Sequence, residues 1–226
     1  MSTQPSEGNL ARLRRELPRE IRIVAVSKTQ PTERILELYQ QGQRDFGENY
    51  VQELATKKTL LPADIRWHFI GHLQSNKVRT IAPFVAFIHS VDSLKLLGEI
   101  HRQASRSARV IDCLLQIHIS QEDTKFGLDE PSLFELAKAV CSHPGDYSNA
   151  RLVGLMGMST LTADQALIRE EFRKLKQLLE ELQLQYFGDA PWFRELSMGM
   201  SADYPIAVEE GATLLRIGSL LFGPRN

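Results

Sequence analysis

The sequence predicts an α/β fold, a single-domain (β/α)8 TIM barrel with an extra helix at its N-terminus. From residue 22 onward, eight short β-rich runs alternate with seven longer amphipathic runs. Most of the short runs are continuous Val, Ile and Leu stretches, which is typical of parallel strands that are covered on both faces. A chain of 226 residues, 42% of them hydrophobic, is long enough to bury the core of one such barrel.

The chain begins with a polar tail that leads into a short helix. A leucine stripe at helical spacing starts at Leu10, and Asn9 stands before it as a candidate cap. We expect residues 1–226 to form one domain, in which residues 1–20 are this tail and helix.

The strands and helices of the barrel follow in strict alternation. In chain order the predicted strands are IRIVAVS (21–27), RDFGEN (44–49), RWHFIGH (66–72), AFIHSV (86–91), VIDCLLQIHI (110–119), RLVGLMGMS (151–159), RELSMGM (194–200) and LLRIGS (214–219). The helices between them are TERILELYQQ, QELATKKTLL, KVRTIAPF, SLKLLGEIHRQA, PSLFELAKAV, DQALIREEFRKLKQLLEELQLQYF and YPIAVEEG. Two helices carry start signals: Pro131 in a first turn, and Thr162 with Gln165 as a capping box.

A doubly wound parallel sheet is the alternative to the barrel. A GxGxxG motif after the first strand would favour it, and the sequence contains neither that motif nor GxxxxGK[ST]. No linker or low-complexity stretch suggests a second domain.

The amino-acid composition argues against nucleic acid, membranes and metals as partners. With 27 Lys and Arg against 28 Asp and Glu, the net charge of −1 gives no general attraction to nucleic acid or to an anionic membrane. Cys113 and Cys141 lack the spacing of a metal site, so we expect packing roles and a reducing compartment. No run approaches the roughly 18 apolar residues that span a bilayer. We therefore expect a cytoplasmic protein that binds neither membrane nor nucleic acid.

Lys28 ends the first predicted strand. Alternation puts it on the face of Val24 and Val26, so the three side chains point either into the barrel or toward the helices. In the first case Lys28 lies at the barrel mouth, where desolvation lowers the pKa of a lysine and lets its amine form a Schiff base with a carbonyl compound. In the second case it is a surface lysine with a buried stem. Its position alone leaves both readings open.

The last two strands end in loops of small residues. Residues 197–201 (SMGMS) and 216–219 (RIGS) follow the strands whose loops often hold a phosphate in barrels. Small residues let backbone N–H groups approach an anion, and Ser201 or Asp203 could cap the next helix and complete a phosphate site. The alternative is that these glycines only permit tight turns.

Polar residues at other strand ends give a weaker signal. Asn49 follows the second strand and could contact a bound ring, and Ser159 follows the sixth. His68 and His72 look like a metal pair, but on a strand they would lie roughly 13 Å apart. We therefore expect no metal site there.

Eight blocks of sequence carry a resemblance to a known family. They are AVSKTQP, FGENYVQE, WHFIGHLQSNK, HSVDS, TKFG, GLMGMST, LSMGMSADY and RIGSLLFG. In this order they resemble the pyridoxal phosphate homeostasis proteins, which bind pyridoxal 5′-phosphate (PLP), and the likeness runs from about residue 21 to residue 223.

The resemblance implies a barrel similar to the N-terminal domain of alanine racemase, with PLP held as a covalent aldimine by Lys28. It implies a set of cofactor-binding residues. Around the phosphate these are Ser197, Gly199, Met200, Gly218 and Ser219; along the cofactor, Asn49, Met158 and Ser159; and near the pyridine nitrogen, Arg216.

Arg216 bears on whether such a protein would catalyse. A protonated arginine offers only donors, so it would keep the pyridine nitrogen unprotonated and weaken its capacity to stabilise a carbanion. This disfavours transamination and decarboxylation but not racemisation, since alanine racemases also use an arginine. Racemisation needs a second group on the opposite face. The barrel units leave only residues 223–226 after the last strand, so we expect no second domain to supply one.

We therefore predict a non-catalytic PLP carrier that buffers or delivers the cofactor in intracellular PLP (vitamin B6) and amino-acid homeostasis. PLP-dependent apoenzymes are the candidate recipients, and a monomer is expected. Two alternatives stay open: a low-activity PLP-dependent amino-acid racemase, and a protein–protein regulator that uses PLP as a signal.

Overall fold

A computed structural model describes residues 8–122 and 126–223, which form a closed barrel of eight parallel strands. Each strand pairs with the next in sequence, and the first pairs with the last. The strands are β1 (Arg22–Val26), β2 (Asp45–Glu48), β3 (Arg66–Phe69), β4 (Phe87–Val91), β5 (Ile111–Ile117), β6 (Ala150–Gly157), β7 (Glu195–Ser197) and β8 (Leu214–Ile217). All eight predicted strands are confirmed, and so is the barrel.

Helices surround the barrel. They are α1 (Asn9–Glu16), α2 (Thr32–Gln40), α3 (Val51–Leu60), α4 (Val78–Ile81), α5 (Leu94–Arg106), α6 (Glu130–Ser142), α7 (Gln165–Gln185), α8 (Tyr204–Glu209) and α9 (Ser219–Phe222). The fourth is shorter than predicted: Lys77 belongs to a 3-10 turn, Ser75–Lys77, and the helix ends at Ile81. A second 3-10 turn spans Pro144–Tyr147, and α9 was not predicted. Across the described ranges, no helix combines the length and apolar character needed to cross a membrane.

The helix starts only partly follow the predicted signals. Pro131 does lie in the first turn of α6. The predicted capping box of Thr162 is wrong, because Asp164 is the cap of α7 and accepts hydrogen bonds from two backbone N–H groups. The predicted cap at Asn9 is also wrong, since Asn9 is the first helical residue and Gly8 precedes it.

Two apolar layers hold the fold together. The larger one fills the space between strands and helices and contains Cys113, whose packing role is confirmed; Cys141 is exposed. The smaller one fills the barrel interior. Its members are Val24, Phe87, Leu114, Val153, Met156 and Leu214. Because Val24 belongs to this inner layer, β1 has the orientation that places Lys28 at the barrel mouth.

Gly154 allows β6 to pack closely against β7. The register between β5 and β6 shifts next to it, and its φ is +151°, which L side chains rarely adopt. A Cβ at this position would lie 1.8 Å from the carbonyl oxygen of Glu195, its partner on β7. Glycine is therefore required at the point where β6 approaches β7.

We expect Gly154→Ala to lower the free energy of unfolding by about 3 kcal/mol or more, because the methyl group must displace backbone. Gly145→Ala is the matched control, because a Cβ there meets nothing within 4 Å; we expect it to change stability by no more than about 0.5 kcal/mol. Urea unfolding followed by circular dichroism measures both. Equal stabilities of the two variants would contradict the close approach.

Candidate functional site

A cavity of about 470 Å³ opens at the carboxyl ends of the strands. Seven of the ten sequence-predicted site residues line it. They are Lys28, Asn49, Met158, Met200, Arg216, Gly218 and Ser219. Val26, Ile70, Ser201 and Ala202 complete the wall, while the predicted residues Ser159, Ser197 and Gly199 are outside it.

A larger cavity, of about 600 Å³, lies at the opposite end of the barrel. Two of its three lining arginines are paired within the wall: Arg22 with Glu195 at 2.9 Å and Arg151 with Asp112 at 2.7 Å. Active sites of such barrels lie at the carboxyl end of the strands. The smaller cavity is therefore the candidate site.

Lys28 reaches this cavity from the end of β1. It is half-buried and shares the wall with Val26, as period-two alternation predicts. Thr29, the next residue, has a φ of +64°, which is uncommon outside glycine, and its N–H donates to Glu53 at 2.6 Å. The backbone around Lys28 is thus held in a strained turn by a side chain of α3.

A buried ion pair supports the same segment from outside the barrel. Lys57 Nζ donates to Glu48 Oε1 at 2.8 Å, to Glu53 Oε1 at 2.6 Å and to the Ser27 carbonyl at 2.7 Å. The Ser27 hydroxyl donates to Glu48 at 2.6 Å. Burial raises the pKa of Glu48 although these donors lower it. The charge of Glu48 therefore depends on Lys57.

Ser201 joins the loops after β7 and β8, and Asp203 joins the loop after β7 to Ser159, which follows β6. Ser201 Oγ accepts the N–H groups of Gly218 and Leu220, each at 3.3 Å. Asp203 precedes α8, as its predicted capping role requires, but its carboxylate accepts the Met200 N–H at 2.6 Å and the Ser159 hydroxyl at 2.7 Å. Ser159 therefore supports the loop from behind the wall.

Several groups in these loops can meet a ligand. Within the described residues, the N–H groups of Ser201, Ala202 and Ser219 make no hydrogen bond to the protein. On the β2 side, Asn49 Oδ1 is buried and has no partner there either. Unpartnered N–H groups on a cavity wall suit an anionic group of a ligand, whereas Asn49 Oδ1 suits a donor.

Gly199 shapes the β7 loop without reaching the cavity. Its φ is +85°, and a Cβ would lie 2.5 Å from Ala207 Cβ. Its carbonyl accepts the N–H of Arg216 at 3.0 Å, which fixes the β7 loop to β8.

Arg216 forms the floor of the cavity and is only 4% exposed. Its Nη1 donates to Ser197 Oγ at 2.6 Å, and its Nη2 donates to the Gly157 carbonyl at 2.9 Å. Burial lowers its pKa to about 10, so it stays charged at neutral pH. A ligand atom that meets its remaining donors must be an acceptor.

Sequence reasoning found Ser197 but not the polar groups that connect it to the opposite side of the barrel. Ser197 Oγ lies 2.9 Å from His89 Nδ1, His89 Nε2 lies 2.8 Å from His68 Nδ1, and His68 Nε2 lies 2.9 Å from Asp45 Oδ1. The available signal was a titratable residue in each of three largely buried strands, namely Asp45 in β2, His68 in β3 and His89 in β4. His72 is apart from them and stacks on Phe126. The described part of the chain contains no group of three or more His, Cys, Asp or Glu arranged to hold a metal.

Known proteins match this chain over most of its length. The family described as alanine racemase, N-terminal domain, matches residues 3–226. The pyridoxal phosphate homeostasis protein of Aquifex aeolicus is 41% identical over 206 residues, which cover 91% of this chain and 87% of the relative.

Two solved structures of PipY from Synechococcus elongatus are also similar. The one without PLP has a TM-score of 0.86 at 39% identity, and the one with PLP bound has 0.84 at 38%. Each comparison covers 95% of this chain and 98% of the solved chain. The likeness thus extends over nearly all of both proteins.

We expect Lys57→Met to lower the free energy of unfolding at pH 7 by about 3–5 kcal/mol, because it leaves the buried Glu48 carboxylate without its cation. The loss should shrink as the pH falls, since the pKa of Glu48 is already raised and the folded state then binds the proton more tightly than the unfolded state. Urea unfolding between pH 5 and pH 8 measures the change. Adding Glu48→Gln should restore part of the stability; a double variant less stable than Lys57→Met would contradict the pairing.

Proposed function

Because the chain belongs to the pyridoxal phosphate homeostasis protein family, we propose that it holds PLP in the cavity at the carboxyl ends of its strands and serves PLP homeostasis. The observation that carries the proposal is the cavity itself. One amine, one donor-only cation and a loop with unpartnered N–H groups face it from separate strands. PLP has an aldehyde, a ring nitrogen and a phosphate, which match these three groups in kind.

Lys28 is the residue we propose as the covalent attachment point. PLP supplies an aldehyde that reacts reversibly with amines and a ring that withdraws electrons. Lys28 stands between the apolar side chains of Val26 and Ile70 and the loop after β8 in the cavity wall. A reversible bond at Nζ would protect a reactive aldehyde and still allow its release.

The phosphate would bind between the loops after β7 and β8. Met200, Gly218 and Ser219 are in the wall there, and the N–H groups of Ser201 and Ala202 add donors. We propose that Ser197 and Gly199 act behind this surface, because Ser197 bonds Arg216 and Gly199 fixes the loop. Asn49 and Met158 would line the rest of the cofactor, with Ser159 holding Asp203 in place.

Arg216 favours holding the cofactor over carbanion chemistry. Its pKa of about 10 keeps it a donor at neutral pH, so a ring nitrogen beside it would remain an unprotonated acceptor. An unprotonated ring is the weaker electron sink. The similar proteins are named for homeostasis and not for a reaction, which supports a carrier. We propose PLP-dependent apoenzymes as recipients and a monomeric, cytoplasmic carrier.

Absorption spectroscopy and borohydride trapping test the attachment. The wild type reconstituted with PLP should absorb visible light and, after borohydride, carry the cofactor on the peptide that contains Lys28. Lys28→Ala should lose both properties, because Lys28 is the one lysine among the described residues that line the cavity. Lys138→Ala, on the exposed face of α6, is the matched control and should behave as the wild type does. A wild type that cannot be reconstituted would sink the proposal.

A racemase assay tests the absence of turnover. A panel of L-amino acids incubated with the PLP-loaded protein should show no enantiomer above the buffer control, since racemisation needs a second proton-transferring group and the described cavity wall offers Arg216 as its one titratable side chain besides Lys28. Chiral chromatography measures the products over hours. Turnover that the wild type supports and Lys28→Ala abolishes would contradict the carrier and favour an enzyme.

A further inference from the structure

A continuous chain of hydrogen bonds crosses the barrel interior below the cavity. It links five side chains on five strands, with donor-to-acceptor distances between 2.6 and 2.9 Å. In spatial order they are Asp45 on β2, His68 on β3, His89 on β4, Ser197 on β7 and Arg216 on β8. All five are at most 6% exposed. Water therefore has little access to these hydrogen bonds.

The two ends of the chain fix the direction of its donors. Arg216 can only donate, so Ser197 Oγ is the acceptor of that bond. At the other end, burial favours a protonated Asp45, but hydrogen bonds from His68 and Arg66 lower its pKa below the ordinary value. Asp45 is therefore an ionised acceptor at neutral pH.

The three groups in between can satisfy both ends in only one way. Ser197 Oγ accepts a hydrogen bond from Arg216, and its hydroxyl donates one to His89 Nδ1. His89 then donates from Nε2 to His68 Nδ1, and His68 donates from Nε2 to Asp45. Burial lowers the pKa of both histidines, which keeps them neutral. Each ring is thus the Nε2–H tautomer, with one donor and one acceptor.

The opposite direction would leave groups unsatisfied. Ser197 would receive two donors while its own proton lost its acceptor, and the lone pair of His68 Nε2 would face a carboxylate. The charged groups around the chain do not favour that direction. Arg22 lies over the Phe87 ring that stacks on His68, and Arg66 binds the second oxygen of Asp45.

We propose that Asp45, His68, His89 and Ser197 are positioning residues that form a one-way hydrogen-bond relay and orient the Arg216 guanidinium at the cavity floor. The relay's effect on a bound cofactor rests on the proposed function. Its direction does not, because the direction follows from protein groups alone. The two can therefore fail separately.

Asp45→Asn is the sharpest test, because it exchanges one oxygen for an NH₂ group. Arg66 can only donate, so it would bind the amide oxygen of the new asparagine and leave the NH₂ group facing His68. The relay would then reverse, and both histidines would become Nδ1–H tautomers. PLP affinity should fall about threefold to tenfold, as expected when one buried hydrogen bond is disturbed.

Nitrogen-15 NMR of protein labelled at histidine reports these tautomers directly, with and without PLP. The chain has six histidines, and single His→Gln variants assign the two signals. Asp45→Asn/Arg66→Met should restore Nε2–H, because the amide can turn its oxygen back to His68. Asp112→Asn is the matched control, since Asp112 bonds Arg151 outside the relay, and it should change neither histidine.

An Nδ1–H signal from His68 or His89 in the wild type would overturn the relay, even if Asp45→Asn fails to fold. So would an Asp45→Asn protein in which both tautomers stay unchanged. Ser197→Ala gives a second check: it should move the His89 Nδ1 signal, which loses its donor, and leave the His68 tautomer as it is. Failure to bind PLP with the predicted tautomers present would count against the proposed function only.

Discussion

Closure of the barrel between β1 and β8 is the constraint on which the candidate site depends. The register pairs Val24 with Arg216 and Ala25 with Ile217, so the two ends of the chain share one wall. Lys28 follows one strand and Gly218 follows the other, and both reach the same cavity. Lys28 and the loop that we propose binds the phosphate are far apart in sequence, and they can act together only because this pair of strands closes the sheet.

Burial of Arg216 imposes the next constraint. A guanidinium at the cavity floor must find acceptors inside the protein, because an unpaired buried charge costs several kcal/mol. The Gly157 carbonyl and Ser197 supply them, and Ser197 in turn needs an acceptor for its own proton. The neutral imidazoles of His89 and His68 continue the hydrogen bonds across the interior to Asp45. The other carboxylate oxygen of Asp45 binds the half-exposed Arg66. The polar groups of the interior thus form one connected set.

The barrel could be predicted from the sequence, and the polar set could not. Eight apolar runs and their spacing are local properties. Alternation along β1 correctly puts Lys28 on one face with Val24 and Val26, but it leaves open whether that face points into the barrel, which the structure shows. Asp45, His68 and His89 come from three strands, and their meeting depends on stagger between strands, which no local pattern records. The predicted cap of α7 was wrong for a related reason: Thr162 accepts the N–H of Asp164, and Asp164 accepts those of Ala166 and Leu167, so only the backbone geometry decides which of the two residues begins the helix.

One strand, β2, supports the cavity both near Lys28 and near Arg216. Of the residues at this strand, only Asn49, just beyond its end, lines the wall. Asp45 points inward and begins the route to Arg216, whereas Glu48 faces α3 and binds Lys57 and Ser27 beside Lys28. Their pKa shifts are opposite, since the donors around Asp45 outweigh burial and those around Glu48 do not. A strand of four residues can serve both roles because alternation sends its side chains to opposite faces. The residues that support Lys28 and those that lead to Arg216 therefore share β2, and we expect a change at either carboxylate to alter the cavity wall.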